Sequence, residues 1–260
     1  MRPLSSWLVP RPIVGVFTDI DDTLTTEGAI TPEALQALAD LKAAGLHVVP
    51  ITGRPVGWSE PFAASWPVDA IVAENGAVGL QHSAAHGLRK LYQQDTATRS
   101  ANFARMQQVL AHIEQVVPGA RRSQDSAGRE TDIAIDHSEF HHLAEDEIAR
   151  VVHLMQDAGM NATVSSIHVN GWFGSHNKLE GARWIVRELF QRDLDAELDT
   201  WAYVGDSTND QLMFAHFANS VGVANIQRFV PTLQHLPRYV TPSERGTGFS
   251  EVAQALLASR

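Results

Sequence analysis

VFTDIDDTLT, residues 16 to 25, crowds Asp19, Asp21 and Asp22 directly behind an apolar run. Carboxylates this close favour one another's protonated forms and destabilise a fold unless something offsets them. Two readings compete. Asp favours turns through side chain to backbone hydrogen bonds, so the cluster could be an Asp-rich turn. A divalent cation would instead reverse the local electrostatics and give the crowding a purpose.

Outward from this stretch, short apolar segments alternate with helical ones. Ile13 to Thr18 reads as a buried strand. Thr31, Pro32 and Glu33 then supply an N-cap, a proline at the first helical position and an early acid, opening a helix whose Leu35, Leu38 and Leu41 share a face. Gly45 closes it. HVVPIT (47–52) is a second strand, and DAIVAENG (69–76) a third that ends in a turn. Further on, Lys178 to Phe190 reads as a helix, WAYVGD (201–206) as a buried strand, and a helix starts near Asp210. SVGVA (220–224), RYVT (238–241) and a final helix through Ala253 complete the pattern. Short apolar strands separated by helices predict an α/β fold built on a doubly wound parallel sheet.

Composition bounds the function. At 260 residues the chain suits one large or two modest domains, and its 44% hydrophobic and 19% charged content is that of an ordinary globular protein. The net charge of -10 offers no basic footprint for nucleic acid or an anionic membrane, so an anionic substrate has to be captured locally. Without Cys, disulfides, thiolate catalysis and Cys-based zinc sites are excluded. MRPLSSWLVPRP, interrupted by Pro10 and Pro12, does not read as a signal peptide, and no apolar stretch approaches the ~20 residues of a membrane span. The expectation is a cytoplasmic enzyme or binding protein, of unspecified oligomeric state.

The middle of the chain differs in character. It holds a long helix (Thr98 to Val117), a polar loop ARRSQDSAGRE (120–130), a strand (Thr131 to Asp136), a helix (Ala144 to Ala158) and a strand ATVSSIHVN (162–170). Two strands and two helices can cover one another as a small module. The expected division is therefore a core of residues 1–84 and 171–260, with an α/β domain inserted over 85–170. On the last strand, alternation puts Ser166, His168 and Asn170 on one face and Ser165, Ile167 and Val169 on the other, where Ile167 and Val169 suit packing against the module's helices.

In open α/β sheets the reactive site lies beyond the carboxyl ends of the strands. Four polar clusters fall there: Asp19 to Thr23, Thr52-Gly53-Arg54, Glu74-Asn75-Gly76, and Gly205 to Asp210. Turn preference alone does not explain polar clusters at so many strand ends. The chain resembles the haloacid dehalogenase superfamily of aspartate-nucleophile phosphatases, with DIDDT as motif one, Thr52 as motif two, Lys178 as motif three and GDSTND as motif four. The insert resembles the α/β cap of the type IIB branch, which includes Cof-like, sucrose-phosphate, trehalose-phosphate and mannosyl-phosphoglycerate phosphatases. The match covers residues ~13–84 and ~175–255 in the core, and in the cap it is one of layout.

The resemblance implies a Rossmann-like core and a covalent mechanism. Asp19 would be the nucleophile, dividing a very slow hydrolysis into two steps through an acyl phosphate. Asp21, two residues on, would protonate the leaving oxygen and then take a proton from water; neighbouring carboxylates favour its holding a proton. Mg²⁺ would bridge Asp19 and Asp206, with the Asp21 carbonyl as a third ligand and Asn209 and Asp210 orienting its waters and the loop. Thr52 and Lys178 would meet the phosphoryl oxygens. Gly53, Arg54 and Asn75 lie beside the substrate, and the His168 and Asn170 face of the cap would read a polyol.

Other residues have plainer readings. Asp22 stands where relatives carry Gly and reads as a turn residue facing away. Arg54 either reaches the substrate or pairs with a nearby acid. Asn75 sits in a turn-forming Asn-Gly. His137, His141 and His142 have spacing that could bind a second metal on a helix face, although such clusters are usually solvated surface. Trp172, Trp184 and Trp201 read as packing. Ser175 and Ser207 lack a base at recognisable spacing, which argues against a serine hydrolase.

The expected function is a Mg²⁺-dependent phosphatase of a small organic phosphomonoester, a sugar phosphate above all. A phosphomutase on the same scaffold and a phosphate-sensing protein without turnover remain alternatives. Asp21 favours turnover, because a sensor needs no acid.

Overall fold

The computed structural model describes residues 1–8 and 11–259. Pro10, one of the two prolines interrupting the N-terminal stretch, lies outside the described residues.

The centre is a six-stranded sheet in the order Arg2–Pro3, Tyr239–Val240, Asn219–Gly222, Trp201–Gly205, Gly15–Thr18, His47–Pro50, with every pairing parallel. The sheet is doubly wound, as the alternation of elements predicts. Both faces are covered, which is why its strands read as continuous apolar runs. Val16, Val48 and Val204 pack on one side with Leu38 and Phe249, from the helices Pro32–Ala43 and Arg245–Ala258. Phe17, Val49 and Tyr203 pack on the other with Ile185 and Met213, from Lys178–Phe190 and Gln211–His216. Trp201 and Trp184 belong to this second core and Trp172 to the core of the inserted module, so all three tryptophans pack as read.

Local expectations hold with adjustments. Thr31 caps its helix by accepting from the Ala34 N–H at 3.3 Å, and Pro32 occupies the first turn. Leu38 and Leu41 are buried with Ala34 and Ala37, but Leu35 is exposed: the leucines fall 300° apart over three steps of 100°, so the first drifts off the buried stripe. The last helix runs beyond Ala253 to Ala258.

The third strand, Ile71–Ala73, touches the central sheet through a parallel bridge between Val72 and Ile51, then turns into an antiparallel hairpin of Val78–Ser83 and Gly87–Tyr92. Gly87–Tyr92 thus pairs with the core although it falls on the inserted side of the expected boundary.

The inserted module has a four-stranded antiparallel sheet in the order Asn161–Val164, His168–Trp172, Ile133–Asp136, Arg121–Arg122, backed by the helices Thr96–Val116 and Glu145–Asp157. Here one expectation fails. Residues 162–170 are not a single strand but a tight hairpin that reverses at 165–167. Alternation persists across so short a turn, so polarity cannot reveal it. Val169 faces the module's core as expected, whereas Ser165 and Ile167 sit at the turn and face the site described below. No helix among the described residues is long and apolar enough to cross a membrane.

Candidate active site

The register of the parallel strands brings the polar clusters together. Thr18 pairs with both Val204 and Pro50, so the chain leaves the sheet at one level in three adjacent strands. The Asp19 N–H then donates to the Val204 carbonyl at 2.8 Å, and the Thr52 N–H to the Val72 carbonyl at 2.9 Å. Asp19, Thr52 and Asp206 are all buried at this level.

Each carboxylate of the opening stretch meets its own cation. Asp19 Oδ1 accepts from Lys178 Nζ at 2.8 Å. Asp21 is gripped by Arg54, whose Nε donates to both of its oxygens at 3.0 Å and whose Nη2 donates to Oδ1 at 2.9 Å. Asp22, with φ 56° in the turn that Asp21 opens, points away and pairs with Arg228 at 2.9 Å and Arg245 at 3.1 Å. Burial, offset in part by Lys178 and reinforced by Asp210 and Asp21, pushes the Asp19 carboxyl up to about 7. The surroundings of Asp21 differ from the carboxylate neighbourhood expected of an acid, because the guanidinium is its nearest partner.

Lys178 begins its helix behind the N-cap Asn177, whose side chain accepts from the Glu180 N–H at 2.9 Å. The helix comes this close because Gly76 (φ 111°) lies against the Asn177 carbonyl, where a Cβ would overlap it. The ammonium also donates to Asp210 Oδ1 at 2.6 Å. That oxygen accepts from the Tyr203 hydroxyl too, while Asp210 Oδ2 accepts the N–H groups of Asp206 at 2.9 Å and Ser207 at 3.1 Å. Both oxygens of Asp210 are engaged by protein donors, so its evident work is to hold the loop and the lysine. Asn209 accepts from Ser207 Oγ at 2.9 Å.

One carboxylate oxygen each from Asp19, Asp206 and Asp210 lies within 4.8 Å of the others. Burial, with Asp210 and Asp19 nearby, raises the Asp206 carboxyl well above the usual carboxylate range. Among the described residues its oxygens accept from Thr23 at 3.3 Å, Asn225 at 3.1 Å and Arg228 at 3.4 Å. An oxygen-only set of buried acids suits a hard divalent cation, whose charge would offset their mutual repulsion. Asp19 and Asp206 are the better placed to hold it.

The inserted module closes over this end of the sheet. Asp19, Asp21, Arg54, His168, Asn170 and Asn209 surround a space of about 10 Å³, room for roughly one water. Asn170 Nδ2 donates to the Gly53 carbonyl at 3.3 Å and to Asp132 at 3.0 Å, and Arg129 reaches the same carbonyl at 3.1 Å. Asn75 Nδ2 is buried beside Gly53 without a hydrogen-bond partner among the described residues. Ser166 faces away from this space into a groove on the far side of the hairpin.

The histidine cluster does not form. Residues 137–144 precede the helix, His137 is buried between Ser138 Oγ (2.7 Å) and the Ser165 carbonyl (3.1 Å), and His141 and His142 are exposed. Without helical spacing the three rings do not share a face. Arg54 pairs with acids rather than standing free. Four residues at or beside the site escaped the sequence reading: Tyr203, Asp125, Arg129 and Glu139. Only Tyr203 carried a signal, since alternation along WAYVGD puts it on the side of Gly205.

Acids and a lysine gather at the carboxyl ends of a parallel sheet, under an inserted α/β module, and make a candidate cation site. Residues 16–147 match the family model of the haloacid dehalogenase-like hydrolases, and the chain belongs to that family. Its layout is similar to that of a solved structure described as a HAD subclass IIB sugar phosphatase, with a TM-score of 0.61 at 16% identity, covering 94% of this chain and 98% of that one. A Streptococcus pyogenes serotype M6 protein named "Putative phosphatase M6_Spy0533" is 23% identical, over 90% of this chain and 94% of its own. Among solved structures, Thermoplasma acidophilum 0175 aligns with a TM-score of 0.73 at 15% identity, covering 95% of this chain and 99% of that one. The sucrose-phosphatase of Synechocystis sp., solved with sucrose and phosphate, aligns with a TM-score of 0.67 at 15% identity, covering 95% and 98%.

Proposed function

We propose that this hydrolase is a Mg²⁺-dependent phosphatase of a small organic phosphomonoester, a sugar phosphate in the first instance. The observation that carries the reading is Asp19, buried at a strand end with Lys178 at 2.8 Å and Asp206 close by. Asp19 attacks phosphorus and the ester oxygen departs, leaving an aspartyl phosphate. Asp21 gives a proton to that oxygen and recovers one from the water that hydrolyses the intermediate. Lys178 and Thr52 offer donors to the phosphoryl oxygens, where charge develops. A bound Mg²⁺ would supply positive charge between Asp19 and Asp206.

The inserted module, from the helix Thr96–Val116 to the strand His168–Trp172, serves as the cap. Its His168 and Asn170 line the space above Asp19 and Asp21, in keeping with a leaving group that carries hydroxyls. The family membership and the names borne by similar proteins support phosphatase chemistry and a sugar phosphate.

Purified protein incubated with a panel of phosphorylated metabolites should release phosphate with Mg²⁺ and stop with EDTA. Asp19→Asn should abolish turnover with the fold intact, and Asp21→Asn should slow poor leaving groups more than p-nitrophenolate. Full activity after chelation would refute the metal, and more than a few per cent residual kcat in Asp19→Asn would refute the covalent route.

A further inference from the structure

Arg54 joins carboxylates from three separate segments. Besides its grip on Asp21, Nη1 donates to Asp125 at 3.2 Å and to Glu139 Oε2 at 3.3 Å, and Nη2 donates to Glu139 Oε1 at 2.7 Å. Asp21 belongs to the core, whereas Asp125 and Glu139 belong to the inserted module. The Arg54 side chain is 6% exposed, and each of its three guanidinium nitrogens is engaged by a carboxylate. In this arrangement a phosphoryl oxygen would have to compete for its donors. The adjoining space of about 10 Å³ is also too small for a phosphomonoester, so the module must lift before substrate enters. Lifting takes Asp125 and Glu139 with it and frees the outward edge of Arg54, while Asp21 stays.

The two acids are built in place without help from Arg54. Asp125 accepts from Ser123 Oγ at 2.6 Å and from Arg129 at 3.1 Å. Its loop rests on the core helix Val56–Ser65, where Gly57 and Gly128 meet backbone to backbone: a Cβ on Gly57 would come within 2.9 Å of the Gly128 Cα. Glu139 lies 2.9 Å from His168 Nε2, and its N–H donates to Asp136 at 2.9 Å. Against the pull of burial, Arg129 and Ser123 bring the Asp125 carboxyl down to about 2, and His168 and Arg54 lower that of Glu139, so both are charged at neutral pH. These are fixed charges aimed at a shared cation, unlike solvated acids that happen to lie nearby.

We infer that Asp125 and Glu139 are positioning residues acting through Arg54: they hold its outward donors while the site is empty, latch the module shut, and compete with the incoming anion for the guanidinium. Three carboxylates share one cation, so the latch is weaker than three separate ion pairs and can open. A binding-competent state populated only as a fraction f raises the apparent dissociation constant by 1/f. Weakening the latch should therefore tighten apparent binding, the reverse of what loss of a substrate contact does.

Asp125→Asn and Glu139→Gln keep shape and remove one charge each. The first readout is amide hydrogen exchange without substrate at Glu130 and Thr131, whose N–H groups donate to Glu74 across the same core to module contact. Exchange there should quicken by about tenfold in either variant. It should also quicken in the wild-type protein as salt rises from about 0.05 to 0.5 M, because the latch is ionic. The second readout is kinetic and rests on the phosphatase reading. KM for p-nitrophenyl phosphate and the inhibition constant of inorganic phosphate should fall by about five- to tenfold, with kcat within about twofold. Unchanged exchange refutes the latch whatever KM does, since loss of a nearby negative charge alone can lower KM. Faster exchange with KM unchanged or raised refutes the competition. A chain with no phosphatase activity would overturn the proposed function, and the exchange result would still decide the latch.

Discussion

His176 should make this protein acid-labile in a way that one substitution removes. The ring is 4% exposed and stacks on Trp172 with centroids 5.5 Å apart. Neither ring nitrogen has a hydrogen-bond partner among the described residues, and burial lowers its pKa from 6.5 to about 4. The folded protein therefore binds fewer protons here than the unfolded chain between those values. Stability from keeping the ring neutral is complete above about pH 6.5 and is lost as the pH falls towards 4. With 1.36 kcal/mol per pKa unit, the loss is about 2 kcal/mol at pH 5 and about 3 kcal/mol at pH 4. His176→Phe keeps an aromatic ring against Trp172 and cannot take a proton. Urea denaturation of both proteins at pH 7.5, 6.5, 5.5 and 4.5 isolates the effect, because every other titrating group cancels in the difference. The substituted protein should gain on the wild type as the pH falls, by about 2 kcal/mol between pH 7.5 and 5. The consequence reaches the site, since His176 lies two residues before Lys178 and its carbonyl accepts from Trp172 Nε1 at 2.8 Å. Parallel stability curves would refute the reasoning and mean that the imidazolium finds water or a partner at little cost.

Lys178→Met should remove phosphatase activity and also destabilise the fold by about 3–5 kcal/mol, the cost of stranding buried carboxylates without their cation; a loss below 1 kcal/mol in urea titrations would contradict the pairing with Asp19 and Asp210. Gly76→Ala should cost about 2–4 kcal/mol through its left-handed backbone and the crowded Asn177 carbonyl, and should lower kcat by displacing the helix that carries Lys178; an unchanged Tm would show that the helix can withdraw freely. His168→Ala and Asn170→Ala should each lower kcat/KM for a hydroxylated substrate by about tenfold, the scale of one or two lost hydrogen bonds. Neither should lower kcat/KM for p-nitrophenyl phosphate, and equal losses on both substrates would remove these residues from the specificity surface.

The sequence by itself determined the sheet and the level at which its chemistry gathers. A strand buried on both faces announces itself as an apolar run, and its carboxyl end is marked by the residue that follows, so Asp19, Thr52 and Asp206 could be placed on one edge from neighbours along the chain. The N-cap at Thr31 and the turn at Asp22 are equally local, because each needs only adjacent backbone groups. The partners of those residues were another matter. That Asp21 meets Arg54, 33 positions away, and that Arg54 also meets Asp125 and Glu139, depends on how a separate module docks. An acid in a polar loop looks the same in sequence whether it faces solvent or a buried guanidinium. The hairpin within 162–170 was hidden for a related reason: period-two alternation runs through a tight turn unbroken, and only pairing against Ile133–Asp136 and Asn161–Val164 shows where the chain reverses. Backbone conformation and strand-end chemistry are written in short-range patterns, whereas ion-pair partners and the closed space above Asp19 arise from contacts between distant segments, which only the folded packing selects.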